Sequence, residues 1–285
     1  MKKILILGGT GMLGHKLYSN LKNKYDTYVT IRGSMKTYGN LKLFDPDKVR
    51  GNVDALDFDS VIRAIAAFRP DIVINCIGLI KQLPDSNDPL WAITINAQLP
   101  HRISLVCAAS GIRMIHISTD CVFSGKKGNY SEDDLSDAED LYGKTKYLGE
   151  VAYTPHSITL RTSIIGHEIN TKNGLLEWFL NQKKSVSGYK NAIYSGFSTF
   201  ELSKVIADYV IPNANLTGIY NVSASPISKY DLLNIIKKVY KKDIEIIPDF
   251  EIKMDRSLDS GKFRNQTGYI PPDWNKMILE MKNSK

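Results

Sequence analysis

The amino-acid sequence predicts a doubly wound parallel α/β sheet with a smaller mixed α/β lobe, and three observations support this. Short runs of aliphatic and β-branched residues alternate with helical patterns through the first 165 residues. The runs are apolar throughout, as is typical of parallel strands that are covered on both faces. After residue 165 the alternation becomes irregular, which indicates a different architecture in the second part of the chain.

The strands and helices of the first part can be placed from these runs. The predicted strands are 4–7, 27–31, 71–78, 113–119 and 157–162. Helical patterns lie between them at 13–21, 60–68 and 96–109. The second helix is expected to end before Pro70 and the third at Gly111, because these residues do not continue a helix well. Alternation of this kind requires crossover connections, so the strands should run parallel.

The second part of the chain carries fewer strands and more irregular sequence. Its predicted helices are 174–184, 198–211 and 228–240, and its predicted strands are 218–224 and 244–248. Residues 185–196 are expected to be irregular, and a polar tail follows from residue 256. We therefore expect residues 1–164 with 192–224 to form the sheet domain and residues 165–191 with 225–285 to form the lobe.

Composition narrows the class of protein. The 285 residues are 43% apolar, enough for an ordinary core. The net charge of +7 is spread along a chain that also carries 30 acidic residues, so a small anionic ligand is favoured over nucleic acid. The opening MKKILILGG has too short an apolar run for a signal peptide, and no later segment has the length of a membrane span. We expect no membrane partner, and a homodimer is one candidate assembly.

The cysteines and histidines give no sign of a metal site. Cys76, Cys107 and Cys121 are not at disulfide or metal-ligand spacing, which predicts buried thiols in a reducing cytoplasm. The five histidines do not cluster at ligand spacing either. The expected location is therefore cytoplasmic, with no metal bound by the protein.

A glycine-rich loop, GGTGMLG at 8–14, joins the first strand to the first helix. Gly8 would allow a tight turn, Gly11 would let the backbone approach a pyrophosphate, and Gly14 would let helix and strand pack closely. The start of the helix offers free N–H groups to phosphate. This context predicts a Rossmann dinucleotide site, with Thr10, Met12 and Leu13 as further cofactor contacts; the alternative is a glycine-rich turn without a ligand.

The end of the second strand indicates which dinucleotide is bound. A carboxylate there normally accepts a hydrogen bond from the ribose 2′-hydroxyl of NADH, whereas an arginine accommodates the 2′-phosphate of NADPH. The stretch TYVTIRGS contains Arg32 and no carboxylate. NADPH is therefore the predicted cofactor, unless Arg32 is only a solvated loop residue.

A tyrosine and a lysine, Tyr142 and Lys146, stand four residues apart at the start of a predicted helix. This spacing alone is weak, because two further pairs share it. They are Tyr18 with Lys22, in the first helix, and Tyr38 with Lys42, in a polar connection. Both lie away from the strand ends where such sheets bind ligands, so placement favours the pair Tyr142 and Lys146.

Four motifs in order carry a family resemblance: GGTGMLG (8–14), NCIG (75–78), STDCVFSG (118–125) and YGKTKYLGE (142–150). With them the chain resembles the extended short-chain dehydrogenase/reductase family, and within it the dTDP-4-dehydrorhamnose reductases. The resemblance implies NADPH-dependent reduction of the 4-keto group of a deoxyhexose nucleotide sugar, for surface-polysaccharide synthesis. It also implies that Thr119, Tyr142 and Lys146 are the catalytic residues.

The chemistry of these three residues agrees with that role. Hydride transfer to a ketone builds negative charge on the carbonyl oxygen, so the site needs a proton donor and a hydrogen-bond donor there. Tyr142 would be the proton donor, and the nearby Lys146 ammonium is expected to lower the pKa of the phenol. Lys146 would also hold the nicotinamide ribose, and Thr119 would bind the substrate carbonyl.

Further site residues are implied by the resemblance or by loop position. The additional cofactor residues are Asp54, Ala55, Cys76 and Gly78, and Asn96 is expected to shape the site. The expected substrate contacts are Lys81, Gln82, Asp120, Lys126, Ser163, Tyr189 and Arg256. Thr162 and Ser163 follow the strand that ends beside the nicotinamide, so both are expected to contact cofactor or substrate.

Related reactions are less compatible with the sequence. Dehydrating relatives carry an aspartate–glutamate pair, but here Asp120 is followed by Cys121. An epimerase that retains NAD fits poorly with Arg32, and a non-catalytic NADP-binding regulatory subunit would not need Tyr142. Both stay as alternatives. Cys121 replaces a usual tyrosine, and Ile164 with Ile165 replace a usual aromatic, so the sugar is open between dTDP- and UDP-linked forms, N-acetylated ones included.

Overall fold

The computed structural model describes residues 1–38, 43–82, 84–169 and 171–284. Its strands, in chain order, are β1 Lys3–Leu7, β2 Asp26–Thr30, β3 Val49–Arg50, β4 Ile72–Asn75, β5 Arg113–Ile117, β6 Ser157–Arg161, β7 Ile164–Ile165, β8 Ser185–Tyr189, β9 Ala192–Tyr194, β10 Phe197–Ser198, β11 Gly218–Asn221, β12 Ile227–Ser228, β13 Glu245–Asp249 and β14 Met254–Asp255.

The main sheet has seven strands in the order β11-β6-β5-β4-β1-β2-β3. All of its neighbouring strands pair in parallel. The chain moves outward in one direction from β1 to β3 and in the other from β4 to β11. The strand order therefore reverses between β1 and β4, the place where open α/β sheets bind ligands at their carboxyl ends. The predicted doubly wound sheet is confirmed.

The helices are α1 Gly14–Leu21, α2 Met35–Tyr38, α3 Phe58–Phe68, α4 Pro89–Ala92, α5 Leu99–Ala109, α6 Leu141–Leu148, α7 Leu175–Asn181, α8 Thr199–Val205, α9 Lys229–Tyr240, α10 Gly261–Thr267 and α11 Trp274–Asn283. A π-helical segment, Ile93–Gln98, joins α4 to α5, and another, Ile206–Val210, extends α8. Within the described ranges, none of these helices combines the length and the apolar character needed to cross a bilayer.

The alternating side chains of the strands supply two separate cores, one on each face of the main sheet. Ile4 and Ile6 of β1 belong to one core cluster, and Leu5 and Leu7 belong to the other. This division follows from the two-residue period of a strand, and it explains why the strands are apolar throughout. The cluster that contains Ile4 continues into the second part of the chain, where it includes Phe179 and Met277.

Small sheets build the predicted lobe. Strand β8 pairs with β13, β9 lies between β12 and β14, and β7 pairs with β10. Strand β9 falls in the segment 192–224 that we assigned to the sheet domain, yet its partners β12 and β14 belong to the predicted lobe. The domain limits otherwise stay a prediction.

Two predictions for the second part of the chain were wrong. Residues 185–196, expected to be irregular, contain β8 and β9. A Cβ at position 188 would lie 2.8 Å from Ile246 Cγ2, so a glycine is needed there. This glycine interrupts the alternation of apolar side chains that would have predicted β8. The polar tail contains α10, which is only seven residues long and buries Phe263, too few apolar positions to show a helical period.

Candidate active site

The glycine loop follows β1 and is tightly packed. Gly8 has φ of +86°, a conformation that favours glycine, and a Cβ on Gly14 would lie 2.2 Å from the Gly8 carbonyl oxygen. Gly9, which the sequence analysis did not single out, donates its N–H to the Thr30 carbonyl at 2.7 Å. A Cβ on Gly9 would lie 1.8 Å from Val29 Cγ2. Glycine is therefore required at these positions for the loop to pack on β2.

The start of α1 is suited to an anion such as pyrophosphate. The first N–H groups of a helix lack intrahelical acceptors and are usually capped by a side chain. Leu13, the residue before α1, provides no side-chain cap. Gly11 is exposed, and a Cβ there would meet only the Gly8 carbonyl oxygen, at 3.3 Å. The loop therefore fits a dinucleotide phosphate.

Two of the predicted cofactor residues, Arg32 and Asp54, meet at the surface. Arg32 Nε lies 3.3 Å from Asp54 Oδ2, and the Arg32 side chain is 66% exposed. The guanidinium carbon also lies 5.9 Å from the centre of the Trp91 ring. Ala55, next to Asp54, is half-buried against the apolar core. Because an exposed ion pair of this kind contributes little free energy, Arg32 can readily exchange Asp54 for another anion.

The three predicted catalytic residues are brought together at the end of β5. Thr119 follows this strand, and Tyr142 and Lys146 lie one turn apart on α6. Lys146 Nζ donates to the Ile117 carbonyl at 2.8 Å, and the Tyr142 hydroxyl lies near the Thr119 side chain. A Cβ on Gly143 would lie 2.2 Å from the Cys121 carbonyl oxygen, so α6 packs directly on the turn that carries Thr119.

The protonation of Tyr142 and Lys146 differs from the expectation. Burial raises the pKa of Tyr142 above its usual value, and the nearby Thr119 side chain only partly opposes this. Burial also lowers the pKa of Lys146 to about 8. The expected lowering of the Tyr142 pKa by Lys146 is therefore outweighed, among the protein groups, by removal of the phenol from water. Tyr142 holds its proton at neutral pH, and Lys146 is mainly charged below pH 8.

Asn96 connects the loop after β4 to α6 through hydrogen bonds. Its side chain exchanges two hydrogen bonds with the Leu79 backbone, at 2.8 and 3.0 Å, and donates to Thr145 Oγ1 at 3.4 Å. Gly78 lies beside it, since a Cβ on Gly78 would be 3.6 Å from Asn96 Oδ1. Burial raises the pKa of the Cys76 thiol to about 12, so this thiol is neutral. These predicted residues therefore lie against α6, Asn96 and Gly78 near Thr145 and Cys76 near Lys146.

Lys81 lies over Tyr142, the predicted proton donor. Its Nζ is 2.6 Å from Asp140 Oδ2 and 5.5 Å from the centre of the Tyr142 ring. The three residues line a cavity of about 190 Å³, together with Ser86, Asn87 and Leu141. Asp140 also caps α6 by accepting the Gly143 N–H at 2.8 Å. Lys81 is thus positioned beside Tyr142, as expected of a substrate contact.

A larger cavity, of about 380 Å³, lies in the second part of the chain. It is lined by Gln82, Asn173, Leu175, Trp178, Val186, Ser187, Tyr189, Lys229 and Leu233. Gln82 and Tyr189 were predicted substrate contacts, whereas Trp178 and Lys229 were missed. The sequence signal for Trp178 was a tryptophan within a short predicted helix. In the structure its side chain is 39% exposed. The volume is in the range of small-molecule sites.

Asp120 and Arg256 face each other near Cys121. Arg256 Nη1 lies 3.5 Å from Cys121 Sγ, and its buried Nε has no hydrogen-bond partner among the described residues. Burial raises the pKa of Asp120, and the Arg256 charge opposes this. Ser163 contributes its carbonyl to the Phe197 N–H at 2.8 Å and lies next to Tyr194, another missed residue, which is buried.

Lys126 and the pair Tyr18 and Lys22 lie elsewhere in the structure. Lys126 forms an exposed ion pair with Glu139, at 2.6 Å, and is not drawn into this group of residues. Tyr18 is buried in α1 and donates its hydroxyl to Asp45 at 2.9 Å, so the pair Tyr18 and Lys22 has a structural role. Lys42, of the third tyrosine–lysine pair, lies outside the described residues. In the part of the chain that the structure describes, no cluster of three or more metal-binding side chains is present.

Comparison with known proteins identifies the family. The sequence model of the family described as RmlD substrate binding domain matches residues 1–283. The chain belongs to this family. The resemblance predicted from the four motifs is therefore confirmed.

Similar proteins include reductases and a subunit of another enzyme. The dTDP-4-dehydrorhamnose reductase of Streptomyces griseus is 32% identical over 149 residues, 52% of this chain and 43% of that protein. The Methionine adenosyltransferase 2 subunit beta of Danio rerio is 28% identical over 59% of this chain and 49% of that protein. These two alignments span less than half of each relative. The dTDP-4-dehydrorhamnose reductase of Aggregatibacter actinomycetemcomitans is 25% identical over 99% of both chains.

A solved structure shares the fold. The dTDP-4-dehydrorhamnose reductase of Bacillus anthracis, solved in complex with NADP, superimposes with a TM-score of 0.79 over 99% of both chains, at 20% identity. The agreement extends over both the main sheet and the second part of the chain, so the small sheets belong to the same fold.

Proposed function

We propose that this chain is an NADPH-dependent reductase that converts the 4-keto group of a deoxyhexose nucleotide sugar to a hydroxyl, for polysaccharide synthesis. The observation that carries the proposal is the meeting of Thr119, Tyr142 and Lys146 at the sheet edge where the glycine loop also ends. The names of the reductase relatives agree with this reaction.

The residues of the chain have distinct roles in this reaction. Bound NADPH would supply the hydride. The loop from Gly8 to Gly14 would hold the pyrophosphate, and Arg32 the 2′-phosphate. Tyr142, which keeps its proton at neutral pH, would donate it to the carbonyl oxygen as negative charge develops there, and Thr119 would hold that oxygen. Lys146 would hold the nicotinamide ribose and stabilise the phenolate that remains.

The two cavities would bind different parts of a nucleotide sugar. The cavity beside Tyr142 and Lys81 would hold the sugar, because it adjoins the proton donor. The larger cavity presents Trp178 and Tyr189, which can stack on a base, and Lys229, which can pair with a phosphate. This arrangement suits both dTDP- and UDP-linked sugars.

A panel of substrates tests the proposal. Purified protein is mixed with NADPH and with dTDP- or UDP-linked 4-keto-6-deoxy sugars, N-acetylated ones included, and absorbance of the reduced nicotinamide is followed. We expect loss of absorbance with at least one sugar and none without sugar. Absence of turnover with every sugar of the panel would contradict the proposal. An epimerase would change the sugar without net consumption of NADPH.

A second candidate is a non-catalytic NADP-binding subunit, which the relatives named Methionine adenosyltransferase 2 subunit beta favour. The arrangement of Thr119, Tyr142 and Lys146 argues against it, because binding alone needs no proton donor. The two functions are separated by steady turnover of NADPH, as opposed to stoichiometric binding without turnover. Sedimentation of the same protein would test the predicted homodimer.

A further inference from the structure

A buried ion pair lies directly behind the catalytic residues. The Glu150 side chain is 2% exposed and the Arg161 side chain 3% exposed. Glu150 Oε1 accepts hydrogen bonds from Ser118 Oγ at 2.7 Å and from Arg161 Nε at 2.9 Å, and Oε2 accepts from Arg161 Nη2 at 2.7 Å. A buried carboxylate needs such partners to stay charged, and the two-pronged contact with arginine is the strongest kind.

The Glu150 carboxylate connects three parts of the site. Ser118 immediately precedes Thr119, and its N–H donates to the Leu160 carbonyl on β6 at 2.8 Å. Glu150 itself follows the end of α6, after Gly149. A Cβ on Gly149 would lie 1.9 Å from the Asn96 carbonyl oxygen, so the end of α6 is pressed against the π-helical segment. The end of β5, the end of β6 and the catalytic helix therefore meet at one side chain.

The same carboxylate acts on Lys146. The titratable groups that face Lys146 are Glu150, Cys76 after β4 and His116 on β5. Burial raises the pKa of Cys76 to about 12 and lowers the pKa of His116 well below its usual value, so both are neutral at pH 7. Of these three groups Glu150 carries the charge. Burial lowers the pKa of Lys146, and Glu150 opposes that effect.

We infer that Glu150 is a positioning residue, whose carboxylate holds Thr119 in place through Ser118 and places a buried negative charge near Lys146. The role of Thr119 in this inference rests on the proposed function. The effect of Glu150 on the charge of Lys146 does not, because it depends only on the buried arrangement of the protein groups.

The substitution Glu150→Gln tests the charge. It removes the anion and leaves the shape, so the Lys146 ammonium loses its protein counter-charge. We expect the alkaline limb of the kcat profile to move to lower pH by about one unit. Ser118→Ala removes the hydrogen bond from Ser118 to Glu150, which holds the neighbouring Thr119, but it keeps the Glu150 charge. We therefore expect kcat to fall about tenfold, while the alkaline limb of the kcat profile stays at the same pH.

A matched control is Glu132→Gln. Glu132 is a half-buried glutamate in a turn, where it accepts the N–H of Asn221, the last residue of β11, at 2.8 Å. This substitution should leave the alkaline limb unchanged. A limb that does not move in Glu150→Gln, or that moves equally in Glu132→Gln, would overturn the inference.

A second variant and a second measurement keep the test independent of folding and of substrate. The double substitution Glu150→Gln with Arg161→Met replaces the buried pair by neutral groups and leaves no unpaired charge in the core. The titration of Lys146 can be followed by NMR of protein carrying ¹³C-labelled lysine, with its signal assigned through Lys146→Arg. The Lys146 titration should fall by about one unit in Glu150→Gln and by less in the double variant, because the double variant also removes the Arg161 charge.

The two measurements separate this inference from the proposed function. A downward shift of the Lys146 titration in a protein that reduces no ketosugar would support the charge effect and contradict the reductase. An unchanged titration in a protein that does reduce a ketosugar would overturn the inference and leave the reductase standing.

Discussion

Helices α1 and α6 begin near the same edge of the main sheet, but their first turns differ in what they offer a ligand. Leu13 precedes α1 and provides no side-chain cap. Asp140 precedes α6, accepts the Gly143 N–H at 2.8 Å and places a carboxylate at the helix start. The first turn of α1 can therefore bind an anion through its backbone, whereas Asp140 closes the start of α6 to anions.

The two helices nevertheless share one packing device. A Cβ on Gly14 would lie 2.2 Å from the Gly8 carbonyl oxygen, and a Cβ on Gly143 would lie 2.2 Å from the Cys121 carbonyl oxygen. Each glycine lets a helix start directly over the turn that follows a strand. The shared device fixes both helices at the sheet edge. Under the proposed function, the uncapped start of α1 would bind the cofactor through backbone amides, and α6 would act through its side chains.

The largest effect should come from the side chains of α6. Tyr142→Phe removes the hydroxyl that would donate the proton, so we expect kcat to fall about 10²- to 10⁴-fold, with little change in NADPH affinity. Tyr147→Phe is the matched control, because Tyr147 is on the same helix and is 40% exposed. Steady-state rates and fluorescence titration with NADPH measure both quantities. Equal activity of the two variants would show that α6 does not supply the proton.

Substitutions at two glycines of the loop should distinguish a role in packing from a role in cofactor binding. Gly14→Ala places a Cβ against the backbone of Gly8, so we expect the free energy of unfolding to fall by about 1–3 kcal/mol. Gly11→Ala meets only one atom, at 3.3 Å, so it should cost less stability. Because Gly11 is exposed at the proposed pyrophosphate site, its substitution should weaken NADPH binding about tenfold or more.

Denaturant unfolding and NADPH titration of both glycine variants provide the measurements. Full NADPH affinity in Gly11→Ala would contradict a phosphate site at the start of α1. An unchanged stability of Gly14→Ala would show that the loop can move away from α1 more easily than its packing indicates.

The two helices also show what the sequence could predict. The glycine loop and the pair Tyr142 and Lys146 were found because their spacing is fixed by local geometry, the tight turn in one case and a single helical turn in the other. The main sheet was predictable for a similar reason, since strands covered on both faces are apolar throughout. Most of the sheet domain could therefore be predicted from local periodicity.

Contacts between distant segments could not be predicted in this way. Lys81 and Asp140 are 59 residues apart, and their ion pair depends on how two loops fold over Tyr142. Trp178 and Lys229 meet at the larger cavity only because α7 and α9 pack beside β8. The raised pKa of Tyr142 was also missed, because the extent of burial is a property of the whole fold and not of the motif.

A moderate effect is expected at Arg32, which adjoins the α1 site. If Arg32 exchanges Asp54 for the 2′-phosphate, Arg32→Gln should weaken NADPH binding about tenfold and leave NADH binding nearly unchanged. Arg63→Gln is the control, because Arg63 is also exposed and lies 3.5 Å from an aspartate, Asp57. Titration with both dinucleotides measures the preference. Equal loss of NADPH and NADH affinity would mean that Arg32 does not distinguish the 2′-phosphate.

The smallest effect should come from the cap of α6. Asp140→Ala removes the bond to the Gly143 N–H and the ion pair with Lys81, so the free energy of unfolding should fall by about 1 kcal/mol. Asp273→Ala is the control, since Asp273 caps α11 by accepting the Lys276 N–H at 3.1 Å. Both variants should lose similar stability, but only Asp140→Ala should change the KM for the sugar, because Lys81 then loses its partner beside Tyr142.

The pH dependence of this loss provides a separate check. Burial alone would raise the pKa of Asp140, but the Gly143 N–H and Lys81 outweigh it and hold the pKa below its usual value. A carboxyl with a lowered pKa stabilises the fold above its unfolded pKa, about 4, and this contribution is lost as the pH falls further. The stability difference between wild type and Asp140→Ala should therefore be constant from pH 7 to 5 and shrink below pH 4. A difference that persists undiminished in acid would mean that the carboxylate charge does not stabilise the start of α6, and the contrast with α1 would then rest on Leu13 alone.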